Sequence, residues 1–439
     1  MEEKALPQQR RFYYGWVIVG LSLTSMTCWF GIRTSFSVFF VALIDQFRWN
    51  RAEAAGAYSV AMLSYMIMAP IIGTLVERIG PRRVILPGIV LTGIGLFLCA
   101  QIQSLTQFYL FFGVIAGAGM TCLSIAPFTV ILSHWFERKR GMANGFAGIG
   151  VGIGTLLMVP LAQHLISLWG WRFAYLMLSL SILIIPLPLN AVFLKLRPQE
   201  MGLLPDGDLP AGNLQTSHDQ KNEAVSIHSH GSRDDWFLRK IIKTARFWYV
   251  LLFPSFTAFG IYIIIVHHVR YLVDLGVDKL WAASLFAVVG ALSATFKPIW
   301  GWFSDRTGRE IAFTLGEFCF CLGIVFLILF QEVPSRAFLY LFAGLFGVGW
   351  GVTTPIIMSV TGDIYKGKGF GLIYGLVEAV IGIGGAVGAW IAGYIFDQTQ
   401  NYFWAFILVI LLNLISVLLV WLSAPRKFRS KFRRAPLPT

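Results

Sequence analysis

Long apolar runs alternate with short polar breaks along almost the whole chain. Twelve runs are long enough to cross a bilayer as helices, near residues 14–43, 53–76, 84–102, 107–134, 142–168, 172–195, 247–272, 281–303, 311–331, 336–361, 369–396 and 402–423. One break is different in kind. Residues 197–245 are rich in Asn, Gln, His, Ser and Asp, as in Thr216-Ser-His-Asp-Gln-Lys-Asn222 and His228-Ser-His230, and have little to bury. Such a stretch predicts a flexible linker. The pattern therefore predicts an all-α membrane protein of twelve transmembrane helices in two six-helix halves. Residues 1–196 form the first half, 197–245 a cytoplasmic central loop, 246–424 the second half and 425–439 a basic cytoplasmic tail.

Composition agrees with the pattern: 56% of the 439 residues are hydrophobic and only 13% charged, which excludes an ordinary soluble domain. Lys and Arg crowd the breaks on the side of the two termini, which predicts that both termini are cytoplasmic. The same bias accounts for the net charge of +13. The tail Arg426-Lys427-Phe-Arg429-Ser-Lys431-Phe-Arg433-Arg434 fits contact with anionic membrane lipid better than with nucleic acid. All five cysteines (Cys28, Cys99, Cys122, Cys319, Cys321) fall within apolar runs, so free thiols are expected rather than a disulfide framework. Met1 to Arg11 lacks the short apolar core and cleavage site of a signal peptide, leaving the first run to act as membrane signal.

A short motif occurs twice, each time directly after an apolar run: Gly73-Thr-Leu-Val-Glu77-Arg78-Ile-Gly80-Pro-Arg82-Arg83 and Gly301-Trp-Phe-Ser-Asp305-Arg306-Thr-Gly308-Arg309-Glu310. Each copy offers a small residue for close helix approach, an acid–Arg pair at the membrane edge, and a glycine for a tight turn. The duplication resembles the loop between helices 2 and 3, repeated between helices 8 and 9, of the major facilitator superfamily. Further motifs resemble its monocarboxylate transporter family and the related oxalate/formate exchangers. These are Tyr13-Tyr14-Gly15-Trp16 and Val38-Phe39-Phe40 in the first run, Arg138-Lys-Arg140-Gly141-Met-Ala-Asn144-Gly145 before the fifth, Gly170-Trp171-Arg172 before the sixth, and Val377-Glu378 in the eleventh.

A charge inside the bilayer costs on the order of 3 kcal/mol or more, so each ionisable residue within a run calls for a reason. The resemblance implies that Lys297, in the eighth run before Pro298, is the counter-ion of a substrate carboxylate. The physical alternative is snorkelling to the nearby helix end. Where the family has a carboxylate four residues earlier, this chain has Ser293, which cannot titrate. Arg33 falls within one position of a family cation, so it either attracts the anion or pairs with a carboxylate such as Asp274. Glu378 matches a family glutamate and leads the proton-coupling candidates, followed by Asp274 and then His267 or His268; adjacent histidines near a helix end also fit an interfacial role. Glu317 is expected to pair with the basic cytoplasmic loops. Tyr374 is a further candidate for the substrate path, though its helical spacing fits packing equally.

The duplicated residues Gly73, Glu77, Arg78, Gly301, Asp305 and Arg306 are expected to act in conformational gating, by breaking and remaking charge pairs. The glycines of runs five and eleven permit close packing between bundles. Gly148-Ile-Gly150-Val-Gly152 follows no strand and precedes no Lys-Ser/Thr, so it is not a nucleotide loop. With no catalytic constellation, metal-ligand spacing or cofactor motif, the chain reads as a transporter and not an enzyme. The expected partners are a small organic carboxylate, a co-transported proton and lipid, with a monomer as the transport unit. Proton-independent anion exchange and a non-transporting carboxylate receptor are the alternatives. The expected location is a plasma membrane or a bacterial inner membrane.

Overall fold

The computed structural model describes residues 13–137, 139–207, 240–365 and 370–425. Most of the linker, the extreme N-terminus and the basic tail Arg426 to Arg434 lie outside these residues.

Among the described residues, eleven helical stretches are long and apolar enough to cross a membrane, and one of them, Met142–Phe193, is 52 residues long. That stretch is broken at Gly170, whose φ of 82° and ψ of 165° end one helix and start the next. The spans are therefore α1 (Gly15–Phe47), α2 (Arg51–Ile79), α3 (Pro81–Cys99), α4 (Leu105–Trp135), α5 (142–169), α6 (171–193), α7 (Ala245–Asp274), α8 (Lys279–Thr307), α9 (Arg309–Glu332), α10 (Arg336–Ile364), α11 (Phe370–Thr399) and α12 (Phe403–Ser423). The predicted runs and the observed helices coincide throughout.

The two motif glycines have nearly the same backbone, Gly80 at φ 88° and ψ 153° and Gly308 at φ 108° and ψ 154°. Only glycine adopts this conformation without strain, so each lets a helix stop and another begin within one residue. Pro81 then opens α3 where its missing N–H costs nothing. Within α4 the turn over Tyr109–Ala116 is π-helical. Its Gly113 and the following Gly117 lie against Val60 and Ala61 of α2, close enough that a β-carbon would press on them.

Buried side chains form a core running through both halves, whereas large apolar residues such as Trp169, Phe318 and Trp404 stay exposed, as suits a lipid-facing surface. Among the described residues the halves meet chiefly along three pairs, α1 with α7, α2 with α11, and α5 with α8. All twelve spans alternate direction, so the cytoplasmic ends expected for α1, α6, α7 and α12 lie at one end of the bundle, here the terminal end, with the central segment. Residues after α6 are tied to that end: the Asp206 carboxylate accepts the backbone N–H of Glu137 at 3.0 Å and of Lys139 at 3.2 Å.

Candidate functional site

The halves touch at the middle and at the opposite end of the bundle and part toward the terminal end. On α5 and α8, Gly152 lies against Ala294, and Gly290 lies so close to Thr155 that a β-carbon would meet its side chain at 2.6 Å. One turn nearer the terminal end, Gly148 has nothing within 4 Å. Lys297, three residues beyond Ala294 and so on nearly the same face of α8, stands where this gap begins. It is half-buried and makes no hydrogen bond or ion pair among the described residues.

The other seam repeats the arrangement. Gly393 packs on Ala52, Gly385 on Met62, and Gly382 on Met66, whereas Gly375 has open space around it. Glu378 lies between the last contact and the gap. The Tyr374 hydroxyl donates to its carboxylate from one turn away, and Arg33 and Tyr65 are within electrostatic reach. A cation without a partner among the described residues and a carboxylate thus each sit about one turn from where their seam opens.

Arg33 lies deeper, only 7% exposed. Its Nε donates to Tyr58 at 3.1 Å and its Nη2 to Tyr262 of the second half at 2.6 Å, beside the Met62 sulfur. The guanidinium carbon also sits 4.9 to 5.8 Å from the ring centres of Tyr262, Trp29, Tyr65 and Phe30. Phenol oxygens and aromatic faces stabilise the cation without neutralising it. Arg33 therefore keeps positive potential at the centre of the bundle.

Charge pairs join the halves at the opposite end. Arg51 Nη2 meets Asp274 at 2.5 Å, Arg51 Nη1 donates to Tyr402 at 2.9 Å, and the guanidinium lies over Phe396. Asp397 accepts the N–H groups of Arg51 at 2.9 Å and Ala52 at 2.8 Å, the first turn of α2, where the helix dipole favours an anion. Asp45 receives both Arg270 and Lys279, the latter at 2.8 Å.

A family model described as the Major Facilitator Superfamily matches residues 17–360 and, separately, 271–438. The chain is 30% identical over 397 residues to monocarboxylate transporter 13 of Rattus norvegicus, covering 90% of this chain and 85% of that one. It is also 30% identical over 400 residues to the Bos taurus protein of that name, with the same coverage. The chain belongs to the monocarboxylate transporter branch of the major facilitator superfamily. Among solved structures, a bacterial homologue of the human lysosomal transporter Spinster, inward-facing and unoccupied, aligns with a TM-score of 0.71 at 15% identity, covering 98% of this chain and 100% of that one. A D-xylose–proton symporter aligns at 0.69 and 13%, covering 93% and 97%. These last two likenesses concern the fold.

Several expectations for this monocarboxylate-transporter relative need correction. Asp274 does not pair with Arg33; it is held by Arg51 and by Arg270, one turn back on α7. His267 and His268 are fully buried and not interfacial, because α7 continues past them among its neighbours. His267 Nε2 faces the Ala389 carbonyl at 2.8 Å, so that nitrogen carries the proton and Nδ1 accepts from Tyr402 at 2.9 Å. Asp305 bonds Arg309 at 2.6 Å, and Arg306 instead stacks over Trp302, so the motif acid selects the arginine one helical turn away over its sequence neighbour. Gly73 has no close neighbour, since it faces the gap. Glu317 is 1% exposed and buried against α7 and α12, away from the basic loops.

Sequence reasoning did not single out Arg51, Asp45, Arg270 or Asp397. Each sits at a run's edge, where charged residues ordinarily face water. The available signal was opposite charge at the ends of runs that the superfamily fold brings together.

Proposed function

We propose that this protein is a secondary transporter that carries a small monocarboxylate with a proton by alternating access. Both termini face the cytoplasm, so the opening at the terminal end faces inward and the charge pairs close the outer side. Lys297 is the carboxylate counter-ion, with Ser293 a turn away on the same helix and Tyr374 across the opening. The single observation that carries this reading is the ammonium of Lys297 at the mouth of the gap, unpaired among the described residues. An anion entering a low-dielectric path needs a fixed positive charge that can also let it go, and a cation already bound to a protein carboxylate is unavailable.

Glu378 is the proton carrier in this reading, and Arg33 supplies the potential that links its charge to the anion's. Asp274 and His267, also candidates for carrying the proton, serve instead in the outer closure. Gly73, Glu77, Arg78, Gly301, Asp305 and Arg306 belong to the moving cytoplasmic rim. The names of the rat and bovine relatives support the substrate class. The transport unit is a monomer lying in lipid, in a plasma membrane or a bacterial inner membrane.

Proton-independent exchange is the second reading, favoured by Ser293, which is buried and cannot titrate. Uptake of labelled lactate or pyruvate into proteoliposomes under an imposed pH gradient separates the two. Accumulation into empty vesicles supports symport; uptake that requires internal anion supports exchange. No uptake of either acid under any gradient overturns the substrate assignment.

A further inference from the structure

A buried acid left unused by this scheme is Glu317 on α9. It is surrounded by uncharged groups: Thr257 of α7 touches it, Ser416 of α12 touches Thr257, and Val352 of α10 packs against the adjoining Gly316. The titratable group within its electrostatic reach is the Cys321 thiol, one turn along α9. Oε2 has no hydrogen-bond partner among the described residues.

The hydrogens along this chain of contacts can be counted. Ser416 Oγ donates to the Phe253 carbonyl at 2.8 Å, which uses its one hydrogen. Thr257 Oγ1 lies 2.9 Å from Ser416 Oγ, so Thr257 must be the donor there, and its one hydrogen is used as well. The remaining contact, 3.4 Å between Thr257 Oγ1 and Glu317 Oε1, then has no hydrogen unless the acid supplies it. Three contacts with two hydroxyl hydrogens leave an ionised carboxylate facing an oxygen lone pair. A protonated Glu317 completes the chain, with Oε1–H donating to Thr257, and it leaves only a neutral carbonyl oxygen unpaired. Burial favours the same form, because an unpaired carboxylate in this surrounding has no compensating cation.

We infer that Glu317 is a proton-binding site in the core of the C-terminal bundle, occupied in the conformation described here and separate from Glu378. Its proton holds the contact between α9 and α7. The latter helix also carries Tyr262 to Arg33 and Arg270 and Asp274 to the outer closure, so losing the proton disturbs the element that links both.

The test is infrared spectroscopy on the full-length protein at neutral pH, comparing wild type with Glu317→Gln. The expected result is loss, in the variant, of intensity in the C=O stretching band of protonated carboxylic acid; loss of carboxylate intensity instead overturns the proposal. Thermal unfolding gives a second readout. Gln can donate to Thr257 but cannot ionise, so wild type should lose melting temperature relative to Glu317→Gln as pH rises; a difference that does not change with pH overturns it. If Glu317→Gln does not fold, Thr257→Val in place of that variant should shift the protonated C=O band, and an unmoved band counts against the site.

Discussion

Arg51 of α2 and Asp274 of α7 meet at 2.5 Å across the boundary between the halves, and the same guanidinium reaches Tyr402 at 2.9 Å. One side chain thus fixes a carboxylate and a phenol of the other half at once. Arg51→Ala should weaken this closure by about 2 kcal/mol, below the usual cost of breaking a buried pair because Asp274 is 27% exposed. Arg51→Lys should restore little, since a point charge cannot serve both partners. The measurement is thiol labelling of a Ser59→Cys variant that lacks the native cysteines. The Ser59 hydroxyl lies under the Ala386 carbonyl at 2.6 Å, and a thiol in its place should become more reactive from the end of the bundle opposite the termini when Arg51 is lost.

Asp45 offers a graded comparison within the same closure. Lys279 is 45% exposed on its side chain, whereas Arg270 is 16% exposed and also anchored to Asp274. Double-mutant cycles on thermal stability should give Asp45–Lys279 a coupling below about 1 kcal/mol and Asp45–Arg270 a clearly larger one. Equal couplings would mean that burial does not set the strength of this gate.

The spans were legible because apolar length and helix period are local properties, and the motif glycines because one unusual backbone conformation demands them. Lys297 and Glu378 stood out because a charge within an apolar run has few explanations. The environment of Arg33 was not, since Tyr58, Tyr262 and Trp29 look like any aromatic core residues until three helices converge. Glu317 was misplaced for a related reason: its distance from the helix end suggested the basic loops, but the face of α9 it occupies decides its neighbours. Arg51 and Asp397 were invisible because pairing between residues so far apart in sequence depends on the closed arrangement of the halves.

Two glycines on one helix should respond oppositely to the same change. At Gly152 a β-carbon would run into Ala294, so Gly152→Leu should destabilise the seam by about 1–3 kcal/mol. Gly148 has open space, so Gly148→Leu should fold with wild-type thermal stability. In the proposed alternating-access cycle, however, closing the terminal end brings that space together, and the leucine should then slow transport. Comparable melting temperatures for the two variants would contradict the separation of α5 and α8 described here.

Lys297→Ala should weaken monocarboxylate binding by about 2–3 kcal/mol, roughly 30- to 150-fold, because it removes the proposed counter-ion at the gap. The fold should persist, as Lys297 anchors no other described side chain. Lys297→Arg should keep binding and can strengthen it, since the guanidinium fork matches a carboxylate. Substrate-dependent thermal stabilisation checks both. Unchanged stabilisation in the alanine variant would remove Lys297 from the site.

Glu378→Gln isolates the proton. The amide keeps the size of the acid and can still accept from Tyr374, so folding and anion access should be preserved. It cannot take up or release a proton, so in the proposed symport scheme the cycle can no longer draw on a pH gradient. Accumulation driven by an inward proton gradient should therefore disappear, and exchange of internal for external anion, which requires no net proton movement, should continue at all pH values. The discriminating measurement is the ratio of gradient-driven uptake to exchange in the same vesicles. A ratio as in wild type would assign the proton elsewhere. Loss of both activities together would point to a positioning role, in which the negative charge of Glu378 tunes Arg33 for the substrate.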